Sequence, residues 1–598
     1  MKTGRPRAPK SDEQVITKET PEVADRRQLI LSAAEPLRMK TRLAGLFLFL
    51  PLLAKLGFDA LVRKADYPGT KMVPADAALL SLLTLKLLHK ERRSHIDDFD
   101  FDPVLGLFAG LNVLPKKSFA TDYSYRTGRE NQNRLMAGWV KKLSPLLLPQ
   151  AKSFSLDFHP IPYRGDEAVL ENHYVPCQGK ARPSIQSFFA QEHESQVFCY
   201  ANANLVRAEQ TREVLKFVDF WHGLMGCNPE WLYFDSKLTT YAELSELNKR
   251  KNVSFVTIRQ RGSSLVKRLL ARPAGDWTSA VIDIPKRRHK HIQYLEEAVS
   301  LSGYDGMLRQ IAVKGLGRER PTLFLTNNLD ANAREIIMNY ARRNGIEDGL
   351  GTNVNFFHMD CLSSEVRLNV DLDVTLTVIA NGCYRWLASR LKGFEKAKPK
   401  QLWRKFVETG GLIEVMPNRR LRITFDRRSH NPILREAALD QDCPTIAWLK
   451  RYRIEFDYTS CSASPPPSDL AKIVLGERRF QVDGEGLQRA VGSRQKLVQS
   501  AELQEPTQRP QSAIVGLSED QMQRDMQMME EFNSIGGIEE VDHAVGPAAV
   551  LTALAMLPQA VPQGTIRVSE LVCDRSRRLP PKANRFGLLS KVGLLPLG

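Results

Sequence analysis

The hydrophobic period of the chain changes at position 151, and this change limits the fold more than any other feature. From about 31 to 150, apolar residues recur at spacings of three and four, as in AALLSLLTLKLLHKERR after Pro74-Ala75-Asp76, DPVLGLFAGL, and SFATDYSYRTGRENQNRLMAGWVKKL. That is the pattern of helices that bury one face. After 151, KSFSLDFHPIPY alternates as a strand does, and SIQSFFAQEHES and QVFCYANANL read as two more strands across a polar turn. QTREVLKFVDFWHGLMG is an amphipathic helix, EWLYFDS a short apolar strand, TTYAELSELNKRK a helix opened by a threonine cap, and VSFVTIRQR another strand. The predicted order is β-β-β-α-β-α-β, an α/β core with a mixed sheet. Residues 263–328 break this rhythm into short β-like runs (SAVIDIP, IQYLEEAVSLS, LRQIAVKG, PTLFLTNN) around the basic cluster Lys286-Arg287-Arg288-His289-Lys290, and read as a β-rich insertion.

Beyond the insertion, 331–348 (ANAREIIMNYARRNGIED) reads as one amphipathic helix that ends where Gly349 and Gly351 begin. An apolar helix follows near 371–391, and LIEVM and LRITF are strand-like runs within a Lys/Arg-rich stretch. The division expected is a disordered polar tail over 1–30, a helical DNA-binding domain over 31–150, a core first half over 151–262, the insertion over 263–328, a core second half over 329–395, and a basic extension over 396–460. Residues 461–598 open with SASPPPS and run into Gln-rich and Ala/Pro/Leu-rich sequence, a low-complexity tail to which no function is assigned.

Lys and Arg total 85 against 68 Asp and Glu, a formal charge of +17, which favours a polyanionic partner such as nucleic acid. Basic residues at the ends of the early helices (Lys90, Arg92, Arg93, Lys116, Lys117, Arg126, Arg129) suit DNA contact, with a plain helical packing domain as the alternative. No two cysteines stand at C-x-x-C spacing, so neither a zinc ribbon nor a disulfide framework is indicated, which fits a reducing cytosol. The uncharged run 43–54 contains Pro51 and falls short of the ~20 residues of a membrane span, so it reads as a buried helix. The first 30 residues carry no secretory signal. No P-loop, H-E-x-x-H, dinucleotide fingerprint or G-x-S-x-G is present.

Three acids remain in a definite architectural order. Asp157 lies in the first strand, Asp235 ends the strand after the first core helix, and Glu347 lies on the helix after the insertion. In a sheet of this order the first and fourth strands are neighbours, so the two aspartates can meet at one edge and a helix can bring the third acid. Carboxylates gathered this way repel unless cations intervene. Oxygen donors favour Mg²⁺ or Mn²⁺, and a pair of such ions can activate an attacking oxygen and stabilise a leaving one at a phosphodiester. Tyr340 and Arg343 share a helical stripe with Glu347. Each residue also has a plain reading. Asp157 is then a strand-end acid, Asp235 a cap before Ser236, Glu347 a solvated residue near a helix C-terminus, Arg343 its i,i+4 ion-pair partner, and Tyr340 a core residue. Glu335, Asp330 and Glu365 are rival third acids, and His159, His173 and His222 read as structural.

Three stretches resemble the DDE transposases of bacterial insertion sequences, in particular those with a β-strand insertion between the second Asp and the Glu. They are LDFHPI around Asp157, WLYFDSKLTTYAELSELNKRKNVSFVTIRQRG around Asp235, and IIMNYARRNGIED around Glu347. That family's helix signature runs Tyr, two residues, Arg, three residues, Glu, six residues, Lys. Tyr340, Arg343 and Glu347 match it, and its lysine position is Val354. The resemblance covers about residues 40–460 and implies an RNase H-like catalytic core. It implies metal-dependent cleavage at transposon ends followed by strand transfer into target DNA, with Asp157, Asp235 and Glu347 as catalytic metal ligands for Mg²⁺ or Mn²⁺, two ions in all. Tyr340 and Arg343 would then position the DNA backbone, and Lys286, Arg287 and Arg288 would contact DNA. The partner implied is double-stranded DNA, bound by a homodimer or larger assembly, with no membrane involved. The setting is the bacterial cytoplasm, nucleoid-associated when DNA is bound. A catalytically inactive DNA-binding remnant, or an RNase H-like nuclease, are the alternatives.

Overall fold

A ten-stranded mixed sheet runs through the centre of the computed structural model. The structure describes residues 37–165, 170–175, 179–250, 253–283, 289–317, 319–362 and 364–458, all within one compact unit. The expected tails at 1–30 and 461–598 and the cluster Lys286, Arg287 and Arg288 lie outside the described residues. In chain order the strands are β1 (Leu37–Thr41), β2 (Ser153–Pro162), β3 (Asn172–Val175), β4 (Lys180–Glu192), β5 (Phe198–Asn202), β6 (Trp231–Phe234) and β7 (Ser254–Ile258). After these come β8 (Thr278–Val281), β9 (His291–Val299), β10 (Leu308–Lys314), β11 (Thr322–Thr326), β12 (Gly411–Met416), β13 (Arg420–Phe425) and β14 (Arg453–Asp457).

The sheet order is β3-β4-β2-β6-β7-β11-β10-β9-β8, with β5 also on β4. β2 pairs antiparallel with β4 and parallel with β6, and β6 pairs parallel with β7. The run Trp231–Phe234 is apolar throughout because the strand is covered on both faces, where no polar alternation is needed. The 263–328 stretch is not a separate body. β11 bonds directly to β7, and β10, β9 and β8 continue antiparallel from it, so this stretch widens the core sheet. It also holds a helix, Ser263–Leu270, that the β-like reading missed.

A second sheet, β1-β12-β13-β14, changes the expected domain limits. Residues 37–41, assigned to the helical region, pair antiparallel with β12 and so join the 396–460 extension. The next turn must come very close to that extension. A Cβ on Gly45 would stand 2.3 Å from the carbonyl oxygens of Phe406 and Val407, a contact only glycine permits.

The helix Arg367–Arg390 is the hub of the molecule. It is buried along almost its whole length and packs on the helices Ala75–Leu87 and Arg129–Leu147 and on β5. Its two inward acids need partners, and the early helices supply them. Asp373 takes Lys86 Nζ at 2.7 Å, with Arg93 Nε 3.9 Å away. Asp371 takes Arg129 Nη1 at 2.8 and 3.0 Å. Arg93 and Arg129 were expected to face DNA. They point inward instead, because a buried carboxylate on the hub helix has to be neutralised. Lys90 and Lys117 pair with Asp98 and Asp97, and Arg126 stacks on Phe119 and Tyr123.

The helix Pro103–Ala109 shows local control of a chain turn. Asp102 accepts from the Val104 and Leu105 amides at 2.8 and 3.1 Å, and Pro103 follows at the first helical position. Asp102→Ala is expected to cost about 1 kcal/mol, read as a lower urea midpoint with an unchanged slope. Among the described residues no single helix is long and apolar enough to cross a membrane. The 43–54 run forms a 3₁₀ turn and a short helix, Ala44–Phe49 and Leu50–Leu56, packed in the core.

Candidate active site

The 331–348 stretch is two helices rather than one. Ala333–Arg342 is capped by the Asn332 side chain, which accepts from the Arg334 amide at 2.9 Å, and Asn344–Asn355 follows after a joint at Arg343. At the joint the Arg343 amide donates to the Tyr340 carbonyl at 3.0 Å, an i to i−3 bond that tightens the turn. The second helix does not stop at Gly349 and Gly351 but continues to Asn355. Gly349 is there for contact. A Cβ would lie 2.5 Å from Gln191 Nε2 and 3.0 Å from the Phe198 ring, so the glycine lets the helix lie against β4 and β5. The break also reverses the expected setting of Glu347. It sits in the first turn of a helix, where the peptide dipoles favour a carboxylate, and not near a C-terminus.

The sheet brings the two aspartates side by side. In the parallel pairing of β2 with β6, Leu156 stands opposite Phe234. Asp157 and Asp235 are the next residues on those two strands, which run about 4.8 Å apart. Asp157 Oδ1 accepts from the Phe158 amide at 2.9 Å, and Asp235 Oδ1 from the Ser236 amide at 2.6 Å. Arg343 reaches over both strands. Its Nη1 donates to Asp157 Oδ2 at 3.2 Å, and its Nη2 to Glu347 Oε1 at 2.7 Å. The plain i,i+4 pairing of Arg343 with Glu347 is therefore present, but the same guanidinium also holds Asp157 from another element. The Tyr340 hydroxyl donates to the Phe234 carbonyl at 3.4 Å, its ring meets Phe324 edge-on, and Arg343 lies 5.6 Å from the ring centre.

The electrostatics follow from burial. The Asp157 side chain is 19% exposed, and its carboxyl is pushed up to about 6 by loss of water. Arg343 pulls it down and Glu347 pushes it further up. Burial works against the Arg343 charge, yet Tyr340, Asp157, Glu347 and Asp235 together raise its pKa. Tyr340, Asp157, Asp235 and Glu347 thus all act on Arg343. Glu347 keeps 54% of its side chain exposed, so the group opens to solvent on that side.

The donor set fits a hard divalent cation in its chemistry, since Asp157, Asp235 and Glu347 offer only oxygen. In geometry, the guanidinium lies between two of the three acids. Among the described residues no group of three or more acidic, histidine or cysteine side chains is already arranged to hold a metal.

The rival acids lie elsewhere. Asp330 and Glu335 are exposed around the start of the Ala333–Arg342 helix, and Glu365 accepts from the Tyr163 hydroxyl at 3.0 Å. Val354 packs against the core. His173 lies 3.5 Å from Glu171, and His222 lies in the last turn of the helix Glu213–Met225.

A layer beneath the site was not foreseen. His193 meets Ser155 Oγ at 2.9 Å and stacks on Tyr233 at 4.7 Å, and these partners lie two residues before Asp157 and Asp235. No sequence motif marks it, because its partners come from two other strands. Burial pushes His193 down to about 4 from 6.5, with Arg342 adding to the shift, and pushes His159 to about 4 as well. Between those pH values the unfolded His193 binds a proton that the folded state refuses, so its contribution to stability falls as pH falls. The stability advantage of wild type over His193→Gln is therefore expected to shrink by about 1.4 kcal/mol per pH unit from pH 6 to 4. Urea unfolding at several pH values checks this, and a constant difference would contradict it.

No family model matches the sequence, and no curated protein matches it. Among solved structures the chain is similar to a piggyBac transposase in a synaptic complex with hairpin DNA. The identity is 13% and the TM-score 0.31, over 64% of this chain and 83% of that one.

Proposed function

We propose that this protein is a DDE-type DNA transposase with an RNase H-like core, cutting DNA at transposon ends and joining the freed ends to target DNA. The observation that carries this reading is one guanidinium, Arg343, bonded to both Asp157 and Glu347, with Asp235 following the strand paired beside that of Asp157. In this reading the three carboxylates hold Mg²⁺ or Mn²⁺. A bound ion pair would polarise the phosphodiester and raise the nucleophilicity of the attacking oxygen. Asp157 is fixed by strand pairing, and Asp235 follows directly on the paired strand beside it, so both are placed before substrate arrives. Arg343 offers a planar fork to non-bridging phosphate oxygens, and Tyr340 holds the guanidinium by its ring face. The partners proposed are double-stranded DNA and a second copy of the chain, in a bacterial cytoplasm. The basic cluster Lys286, Arg287 and Arg288 is proposed to add backbone contacts.

The test is a nicking and joining assay with Mg²⁺ on duplexes that carry the inverted repeats flanking the coding region. Wild type is expected to nick and join, and Glu347→Gln to do neither while still retarding the duplex in a gel. Nicking that survives Glu347→Gln would sink the assignment. One observation favours a catalytically inactive DNA-binding remnant, namely the apolar Val354 packed into the core where the signature calls for lysine. A wild-type protein that binds the repeats without nicking them would favour that reading. Cleavage of RNA–DNA hybrids alone would favour an RNase H-like nuclease.

A further inference from the structure

Arg343 holds two of the three acids at once, Asp157 at 3.2 Å and Glu347 at 2.7 Å. A carboxylate oxygen engaged in a charge-assisted hydrogen bond is occupied, and a cation approaching it meets the like charge of the guanidinium. While both ion pairs persist, the guanidinium charge opposes a divalent ion at Asp157 and Glu347. Yet the guanidinium is not fully satisfied. Its Nε is buried and has no hydrogen-bond partner among the described residues, although the group carries five donors. Two separate carboxylates, each holding one nitrogen, do not use the planar fork as well as a phosphodiester would, with two oxygens on one phosphorus. Access comes from the Glu347 side, which is open to solvent.

We propose that Arg343 is an electrostatic latch: in the free protein it keeps Asp157 and Glu347 from a divalent cation, and it releases them when a DNA phosphodiester takes its guanidinium. This rests on the reading of the site as a metal-dependent DNA-cutting centre. It makes Arg343 a positioning residue that couples two binding events. By linkage, duplex must then raise metal affinity by the same factor that metal raises duplex affinity.

Isothermal titration of Mn²⁺ into the full-length protein tests the latch, with and without a flanking-repeat duplex and in Ca²⁺-free buffer. Wild type is expected to bind Mn²⁺ on the order of tenfold more tightly once the duplex is present. Arg343→Gln is expected to bind Mn²⁺ at that higher affinity without DNA and to gain little from it. The wild-type comparison decides even where the variant folds poorly. Equal Mn²⁺ affinity with and without duplex, in a protein whose binding is lost in Asp157→Asn, would overturn the latch and leave the metal site standing. Mn²⁺ binding that Asp157→Asn does not change would overturn both.

Discussion

Asp157→Asn is expected to lower Mg²⁺-dependent nicking by more than about 100-fold, the upper range seen when only an outer partner of a metal ligand is lost, without unfolding the protein. Asparagine keeps the shape and can still accept from the Phe158 amide. It removes the charge that a cation would need and one of the two anchors of Arg343. Stability should hold or rise slightly, because burial already pushes the carboxyl up to about 6 and the neutral side chain avoids that desolvation. Nicking rates measured beside a urea unfolding curve separate the two effects. A variant that lost activity only in proportion to a loss of folded protein would show Asp157 to be structural.

Asp371→Ala should have the opposite profile. Asp371 is fully buried, takes both Arg129 bonds, and accepts the Ala203 amide at 2.8 Å, tying the hub helix to the Arg129–Leu147 helix and the segment after β5. Removing one partner strands the Arg129 charge in the interior, which costs about 3–5 kcal/mol. Chemical denaturation should report that loss, together with a lower yield of soluble protein. Replacing Arg129 and Asp371 together with apolar residues of similar size should recover much of it, since a buried pair is dearer to break than to replace. A single-variant loss below about 1 kcal/mol would place this pair with ordinary surface ion pairs.

These two residues also mark where the sequence could be read and where it could not. Asp157 lies in a run whose alternation is visible, and strand order alone predicts its neighbour, which the register of β2 and β6 shows. Asp371 lies in a stretch that reads simply as an apolar helix. Its partner Arg129 reads as a DNA-facing cation, because burial of its charge depends on a contact 242 residues away in the chain, on the hub helix. The break at Arg343 had a local mark, since Asn344 and Gly345 follow it and both disfavour helix, but the amphipathic period runs through it and hides the i to i−3 bond that tightens the turn. Gly349 reads as a stop signal, yet in the structure its role is close packing on β4 and β5. Short edge strands such as β1 and β3 carry too few residues for a period to show. The pairing of Asp157 and Glu347 on one guanidinium needed both levels: the residues are legible in the sequence, and the sheet and helix bring these two to Arg343.

The central claim is that these three acids hold divalent metal at a DNA phosphate. The most direct measurement is anomalous diffraction at the manganese edge, from crystals of the protein with a flanking-repeat duplex soaked in Mn²⁺. The account predicts density at about 2.1 Å from oxygens of Asp157, Asp235 and Glu347, the distance such an ion takes to oxygen ligands, with the Arg343 guanidinium turned onto a phosphate. Manganese bound only elsewhere, with Arg343 still holding Asp157 and Glu347 beside the DNA, would contradict it.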